Sequence, residues 1–347
     1  AFVAKAGRAR AAGAVGLILV DNRFGEANAI PLELQLPAGM VSDLDGERLR
    51  TYMAQTGGRT TIRVPRDVRE IVTGRGGVIT SFSSAAPTNF GHLLKPDVAA
   101  PGGQILSSTS PESAGNGTPF AVFDGTSMSA PHVSGAAALL LQAHPTWTPA
   151  QMRSALVSTA VPAWGDTART QEAPVTLEGG GLVDVSRADE PLIFTNPVSL
   201  SFGDLNVNRA GVSAGLVSSL ADAGGGAGEW GVSIRPQAAT PGASITADPV
   251  VTIAPGGEDA LKVVVRVTAS ARAGENFGFV LLTRGDETRK IPYYFAVTRP
   301  GLETKPPLPL RAFQEGDTTD GLSHANVYRF PSWPFGPPPD YRSGLPM

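Results

Sequence analysis

The feature that most constrains this chain is the stretch from Ser127 to Ala143, its strongest helical signal. It contains Ala136-Ala137-Ala138-Leu139-Leu140-Leu141 and is apolar nearly all round, which predicts a buried helix rather than a surface one. His144-Pro145 ends it, because the residue before a proline is pushed out of helical backbone. Thr148-Pro149-Ala150-Gln151 then reads as a capping box with proline at the first helical position, opening a second helix through Val157.

Other segments divide by pattern. Residues 1–66 read as a small α/β unit, with a helix over 4–12, a strand over 15–20 and alternating apolar positions from Ile30 to Met40. A short helix from Asp45 to Gln55 and a strand from Thr60 to Val64 complete it. Residues 67–190 open with expected strands at 69–72 and 78–82, followed by a turn-rich stretch to Asp124. Residues 191–299 carry short alternating runs at 198–202, 231–235, 250–253, 261–267, 277–283 and 291–297, the signature of an all-β sandwich. Residues 300–347 form a Pro-rich tail, with Trp333 and Phe335 suited to the start of a further domain.

Composition excludes several functions. The 41 glycines and 30 prolines favour turns and short strands over long helices. A net charge of −3 argues against a nucleic-acid binder, which normally carries a strong basic bias. The absence of cysteine excludes disulfides, thiolate metal sites and a cysteine nucleophile. No apolar run of spanning length occurs, so no membrane helix is expected.

The chemistry is concentrated in Asp124-Gly125-Thr126-Ser127-Met128-Ser129-Ala130-Pro131-His132-Val133. A serine at the first turn of a buried helix has an orphan backbone N–H and a dipole favouring negative charge. Both suit a nucleophile whose reaction develops an oxyanion. The same pattern also serves as a plain helix N-cap, and the residues alone leave both readings open.

The segment closely resembles the nucleophile motif of the subtilase family, with Gly125, Thr126, Met128, Pro131 and His132 as motif residues around Ser127. Four other segments resemble that family in order: Thr80–Ser84, Lys95–Gly102, His144–Arg153 and Gly180–Asp184. The resemblance implies a subtilisin-like serine endopeptidase acting on proteins or peptides through an acyl-enzyme on Ser127. The fold it implies is the C-terminal part of a three-layer α/β/α domain over 67–190. Residues 1–66 resemble part of a protease-associated domain inserted between the family's catalytic histidine and serine. Residues 191–299 resemble a fibronectin-III-like sandwich. On that resemblance the triad Asp and His and the oxyanion Asn are expected upstream of residue 1, and the chain alone is expected to be inactive. His132 is expected to be a packed helix histidine and Asp124 a turn or cap residue. No cofactor is required. The family allows a structural calcium ion, but no carboxylate cluster here has calcium-loop spacing. An extracellular or cell-surface location follows from the family alone. The rival expectation is a non-catalytic pseudoprotease or binding scaffold of the secreted multidomain type.

Overall fold

The computed structural model describes residues 2–21, 34–58, 60–61, 75–89, 91–114, 119–208 and 210–299. They fall into two compact units: residues up to Ala86 together with Lys95–Pro191, and Pro87–Leu94 together with the chain from Leu192 onward.

The first unit opens with helix α1 (Phe2–Ala11), strand β1 (Leu17–Val20), strand β2 (Ala38–Val41) and helix α2 (Asp43–Gln55). β1 and β2 pair in parallel, from Leu17 opposite Ala38 to Val20 opposite Val41. α2 starts two residues before the expected Asp45. The reason is Ser42, whose hydroxyl accepts from the Asp45 N–H at 3.1 Å and caps the helix. The strands expected at 60–64 and 69–72 lie largely or wholly outside the described residues.

The same unit continues with β3 (Ile105–Ser108), α3 (Pro111–Ala114), β4 (Phe120–Phe123) and the long helix α4 (Thr126–Ala143). Helices α5 (Pro149–Ser158), α6 (Val175–Glu178) and α7 (Val185–Asp189) follow. β3 and β4 form an antiparallel hairpin, Ile105 opposite Phe123. The strand expected at 78–82 is not formed. Val78 makes one isolated bridge to Trp164, the Ile79 N–H donates to the Trp164 carbonyl at 2.9 Å, and a turn from Thr80 to Ser83 follows.

α5 begins as its sequence predicts. Thr148 caps it, Gln151 returns the hydrogen bond to the Thr148 N–H at 2.8 Å, and Pro149 occupies the first turn. Burial peaks in the second half of α5 and just after it: residues 154–160 are all buried. α4 departs from expectation. Only Ala136 and Leu140 are buried, while Leu139 and Leu141 remain 58% and 47% exposed. Ala136 and Leu140 are four residues apart and define one narrow stripe, so the described elements cover this helix on one side only.

The second unit is a two-sheet sandwich. Its strands are β5 (Ile193–Asn196), β6 (Leu200–Asn206), β7 (Val212–Asp222), β8 (Gly228–Ala238), β9 (Ala243–Ala247), β10 (Val250–Ile253), β11 (Glu258–Val267), β12 (Gly274–Arg284) and β13 (Glu287–Thr298). One sheet runs β10-β8-β12-β13-β6 and the other β5-β7-β11-β9. β6 and β13 pair in parallel; the other pairs are antiparallel. Six strands were expected and β5, β7 and β9 were not. β7 reads Val-Ser-Ala-Gly-Leu-Val-Ser-Ser-Leu-Ala-Asp, and its small residues blur the alternation. Its register comes instead from pairing along its length with β11.

The core between the sheets includes Leu220, Trp230, Leu261, Val263, Val280 and Ile291, all fully buried. The Trp230 indole N–H donates to the Gly226 carbonyl at 2.8 Å, and the Arg284 guanidinium lies 4.8 Å from the ring centroid. Arg284 also donates to the Ala227 and Gly225 carbonyls. Asp222 closes the same loop by accepting from the N–H groups of Gly224, Gly226 and Gly256. Replacing Trp230 with alanine empties the centre of this knot and is expected to cost about 3–5 kcal/mol. Urea denaturation followed by circular dichroism measures it, and a loss below about 1 kcal/mol would show that the knot does not anchor the sandwich.

Candidate active site

Ser127 sits in the first turn of α4 and is exposed. Two features of the local sequence put it there. Gly125 is the N-cap residue, at φ 156° and ψ 155°, a backbone setting that side-chain-bearing residues rarely adopt. The Met128 N–H returns to the Gly125 carbonyl at 2.9 Å and closes the turn around Thr126 and Ser127. The Ser127 N–H thus belongs to a helix start, where backbone donors have no intrahelical acceptor. Pro131 lies inside the helix and lacks the N–H that would otherwise pair with the Ser127 carbonyl.

The turn is clamped from outside by Pro101–Gln104. The Gly125 N–H donates to the Gly102 carbonyl at 2.8 Å. A methyl group on Gly102 would stand 2.2 Å from the Ser129 hydroxyl oxygen and 2.9 Å from the Gly125 carbonyl oxygen, so only glycine permits this approach. Asp124 adds the second clamp. Its carboxylate accepts from the Gln104 N–H at 2.7 Å and from the Gln104 side-chain amide at 2.9 and 3.1 Å. Asp124 therefore braces the loop.

Lys95–Gly102 is itself held by Gly180–Val183. The Gly180 N–H donates to the Asp97 carbonyl at 2.8 Å, Ala99 to Gly181 at 2.8 Å and Val183 to Ala99 at 2.9 Å. Three segments singled out in the sequence, 95–102, 124–133 and 180–184, are thus linked in one hydrogen-bonded series. The role of Gln104 was missed, and no local signal marks it, because its contact spans 20 positions.

Asp97 joins a further segment to this frame. It accepts from Arg153 of α5 at 2.8 Å and from Lys95 at 2.8 Å. Burial pushes its carboxyl up, but the hydrogen bonds and charges of Arg153 and Lys95 outweigh this and hold it below the ordinary value of 3.8. Asp97 and Arg153 flank an open groove of about 470 Å³ between α4 and α5, otherwise lined by apolar side chains such as Val133, Met152 and Leu156.

None of the described histidines is hydrogen-bonded to the Ser127 hydroxyl. His92 lies 3.3 Å from an Asp204 carboxylate oxygen in the second unit. The His132 Nδ1–H donates to the Met128 carbonyl at 2.8 Å, one turn back along α4. His144 caps the end of α4, pairs with Asp189 at 2.8 Å and stacks on Trp147 with ring centroids 3.8 Å apart. His324 lies outside the described residues. Among the described residues no cluster of His, Asp or Glu could hold a metal ion.

Two outcomes check this frame. Gly102→Ala should displace the 124–128 turn and lower the melting temperature by several degrees, read by calorimetry. Asp97 has a folded pKa below its unfolded one, so it contributes stability above the unfolded value, and that contribution is lost as pH falls through the folded one. Asp97→Asn should therefore destabilise the protein at pH 7, and the gap from the unaltered chain should close as pH drops below about 4. A gap independent of pH would show that the carboxylate charge is irrelevant.

Comparison with known proteins fits this geometry. Residues 53–186 match the family model described as "Subtilase family". The minor extracellular protease Vpr of Bacillus subtilis (strain 168) is 30% identical over 203 residues, 58% of this chain and 24% of that protein. The subtilisin-like protease SBT3.4 of Arabidopsis thaliana is 34% identical, covering 52% of this chain and 24% of that protein. Its relative SBT1.7, from the same plant, is 30% identical over 72% of this chain and 40% of its own length. The chain spans between a quarter and two fifths of the length of these curated relatives. Ser127 with its Gly102 and Asp124 clamps falls inside the segment, 53–186, that matches the subtilase family model.

Proposed function

We propose that the protein containing this chain is a subtilisin-type serine endopeptidase, with Ser127 attacking the scissile peptide carbonyl. The observation that carries this is the placement of Ser127: exposed, in the first turn of an 18-residue helix, on a turn braced by Gly102 and Asp124. Hydrolysis proceeds by acyl transfer. The Ser127 oxygen adds to the carbonyl as its proton passes to a base, and that base then protonates the leaving amine. Water next adds to the ester as the base takes its proton, and collapse releases the acid and restores the serine. The Ser127 N–H lies where it can donate to the oxyanion formed at each addition.

The described histidines are engaged elsewhere, His132 with the Met128 carbonyl, His144 with Asp189 and His92 with Asp204, and none serves as the base in this proposal. The triad His and Asp and the oxyanion Asn come from sequence preceding residue 1 in this proposal. The exposed apolar side chains of α4 and of the hairpin beside it support this: Leu139, Leu141, Leu106, Phe120 and Val122 form surface that a larger catalytic domain would cover. Residues 1–66 are then part of a protease-associated insert, and the sandwich is a fibronectin-III-like module. The protein acts outside the cell, as the name of its Bacillus relative states for that protein. Gly125, Thr126, Met128, Pro131 and His132 shape the turn and helix around the nucleophile.

The 347-residue chain alone should neither hydrolyse casein nor take up a fluorophosphonate probe. The same chain joined to upstream coding sequence should do both, and Ser127→Ala in the longer protein should abolish labelling and cut turnover by at least about a thousandfold. Labelling at a different serine, or full activity after Ser127→Ala, would overturn the assignment.

A further inference from the structure

The charge on Asp124 exceeds what its bracing role requires. Asp124 is exposed and stands three residues before Ser127, itself exposed, on the same clamped turn. One oxygen of its carboxylate accepts from the Gln104 backbone N–H at 2.7 Å and from the Gln104 side-chain amide at 3.1 Å, and the other accepts from that amide at 2.9 Å. All of these donors are neutral. The brace needs an acceptor oxygen, which the neutral side chain of an asparagine also offers. A full negative charge is therefore left over beside the nucleophile.

The surrounding sequence does not neutralise it. From Pro96 to Met152 the chain has no Lys or Arg, and its carboxylates there are Asp97, Glu112 and Asp124. Asp97 is answered by Lys95 and Arg153, each at 2.8 Å. Glu112 of α3 is exposed, and neither it nor Asp124 forms an ion pair among the described residues. Asp124 is also within reach of a bound peptide. Consecutive Cα atoms lie about 3.8 Å apart, so three steps of chain keep the Asp124 Cα within about 11 Å of that of Ser127. An extended peptide rises about 3.3 Å per residue, so three substrate residues on either side of the scissile bond span a similar distance. The Debye length is about 8 Å at physiological salt, and part of the attraction survives over this range. Held by Gln104, the carboxylate loses little further freedom when a cation approaches.

We propose that Asp124 is a specificity-determining residue, whose carboxylate favours peptide substrates carrying Lys or Arg within about three residues of the scissile bond. This rests on Ser127 being the nucleophile, and it adds a substrate class to that reading. Exchanging Lys for Glu at such a position reverses one charge in the field of Asp124. In largely aqueous surroundings the exchange is worth about three- to tenfold in kcat/KM.

The test uses the longer protein, in which this chain is joined to its upstream coding sequence. Paired peptides differ only in Lys or Glu, placed in turn at each of the three positions on either side of the scissile bond, and kcat/KM is measured for both. Asp124→Asn keeps an oxygen for the Gln104 N–H and should lower the Lys/Glu ratio about three- to tenfold at one or more positions. Asp124→Lys should lower it further at the same positions. Any disturbance of the turn slows both peptides of a pair alike and cancels in the ratio. In about 1 M NaCl, where the Debye length is about 3 Å, the gap between the unaltered protein and each variant should shrink. A ratio that neither variant moves at any position overturns the proposal while leaving Ser127 as nucleophile. A shift that salt leaves unchanged marks a packing effect and overturns it too. Failure of the unaltered longer protein to take up a fluorophosphonate at Ser127 removes the nucleophile reading, and this proposal with it.

Discussion

The setting of Ser127 depends first on one backbone contact, the Gly125 N–H on the Gly102 carbonyl. A nucleophile at a helix start is useful only if the turn before the helix stays in one conformation. A helix cap alone does not ensure that, since the first turn of a helix readily frays. Here the turn is tied to a second segment at two points, by the glycine approach and by Asp124 on Gln104. That second segment is fixed in turn to 180–183 by three backbone hydrogen bonds and to α5 by Asp97 and Arg153. Rigidity is thus passed along a series of contacts that ends in the most deeply buried helix of the first unit.

Much of this was legible in the sequence, for reasons that differ by element. The start of α5 was readable because its capping box is a local code, four residues whose own side chains satisfy their own backbone. The helical character of α4 and most sandwich strands were readable from periodicity. The missed strands β5, β7 and β9 are defined by the neighbours they pair with, and β7 in particular is built of residues too small to show a face. The clamp around Ser127 was half visible. Gly102 and Asp124 stand in recognisable motifs, but Gln104 joins Asp124 across 20 positions and Arg153 joins Asp97 across 56, distances over which sequence carries no physical signal.

The helix α4 shows how composition and environment can disagree. Its residues specify an element wrapped by protein, yet only a stripe through Ala136 and Leu140 is covered by what the structure describes. α5, with a less uniform composition, is buried through residues 154–158. Burial follows from what packs around an element as much as from its own letters.

The parallel pairing of β6 with β13 sets an order of events during synthesis. These strands lie at opposite ends of the sandwich sequence, Leu200–Asn206 and Glu287–Thr298. As the polypeptide leaves the ribosome, β6 emerges well before the strand it must lie beside. Until β13 arrives, one edge of the growing sheet has no partner and its interior faces water. The first strand of this sheet in the sequence is therefore the one that must wait for the last, and it cannot join the sheet until nearly all of the sandwich has been made.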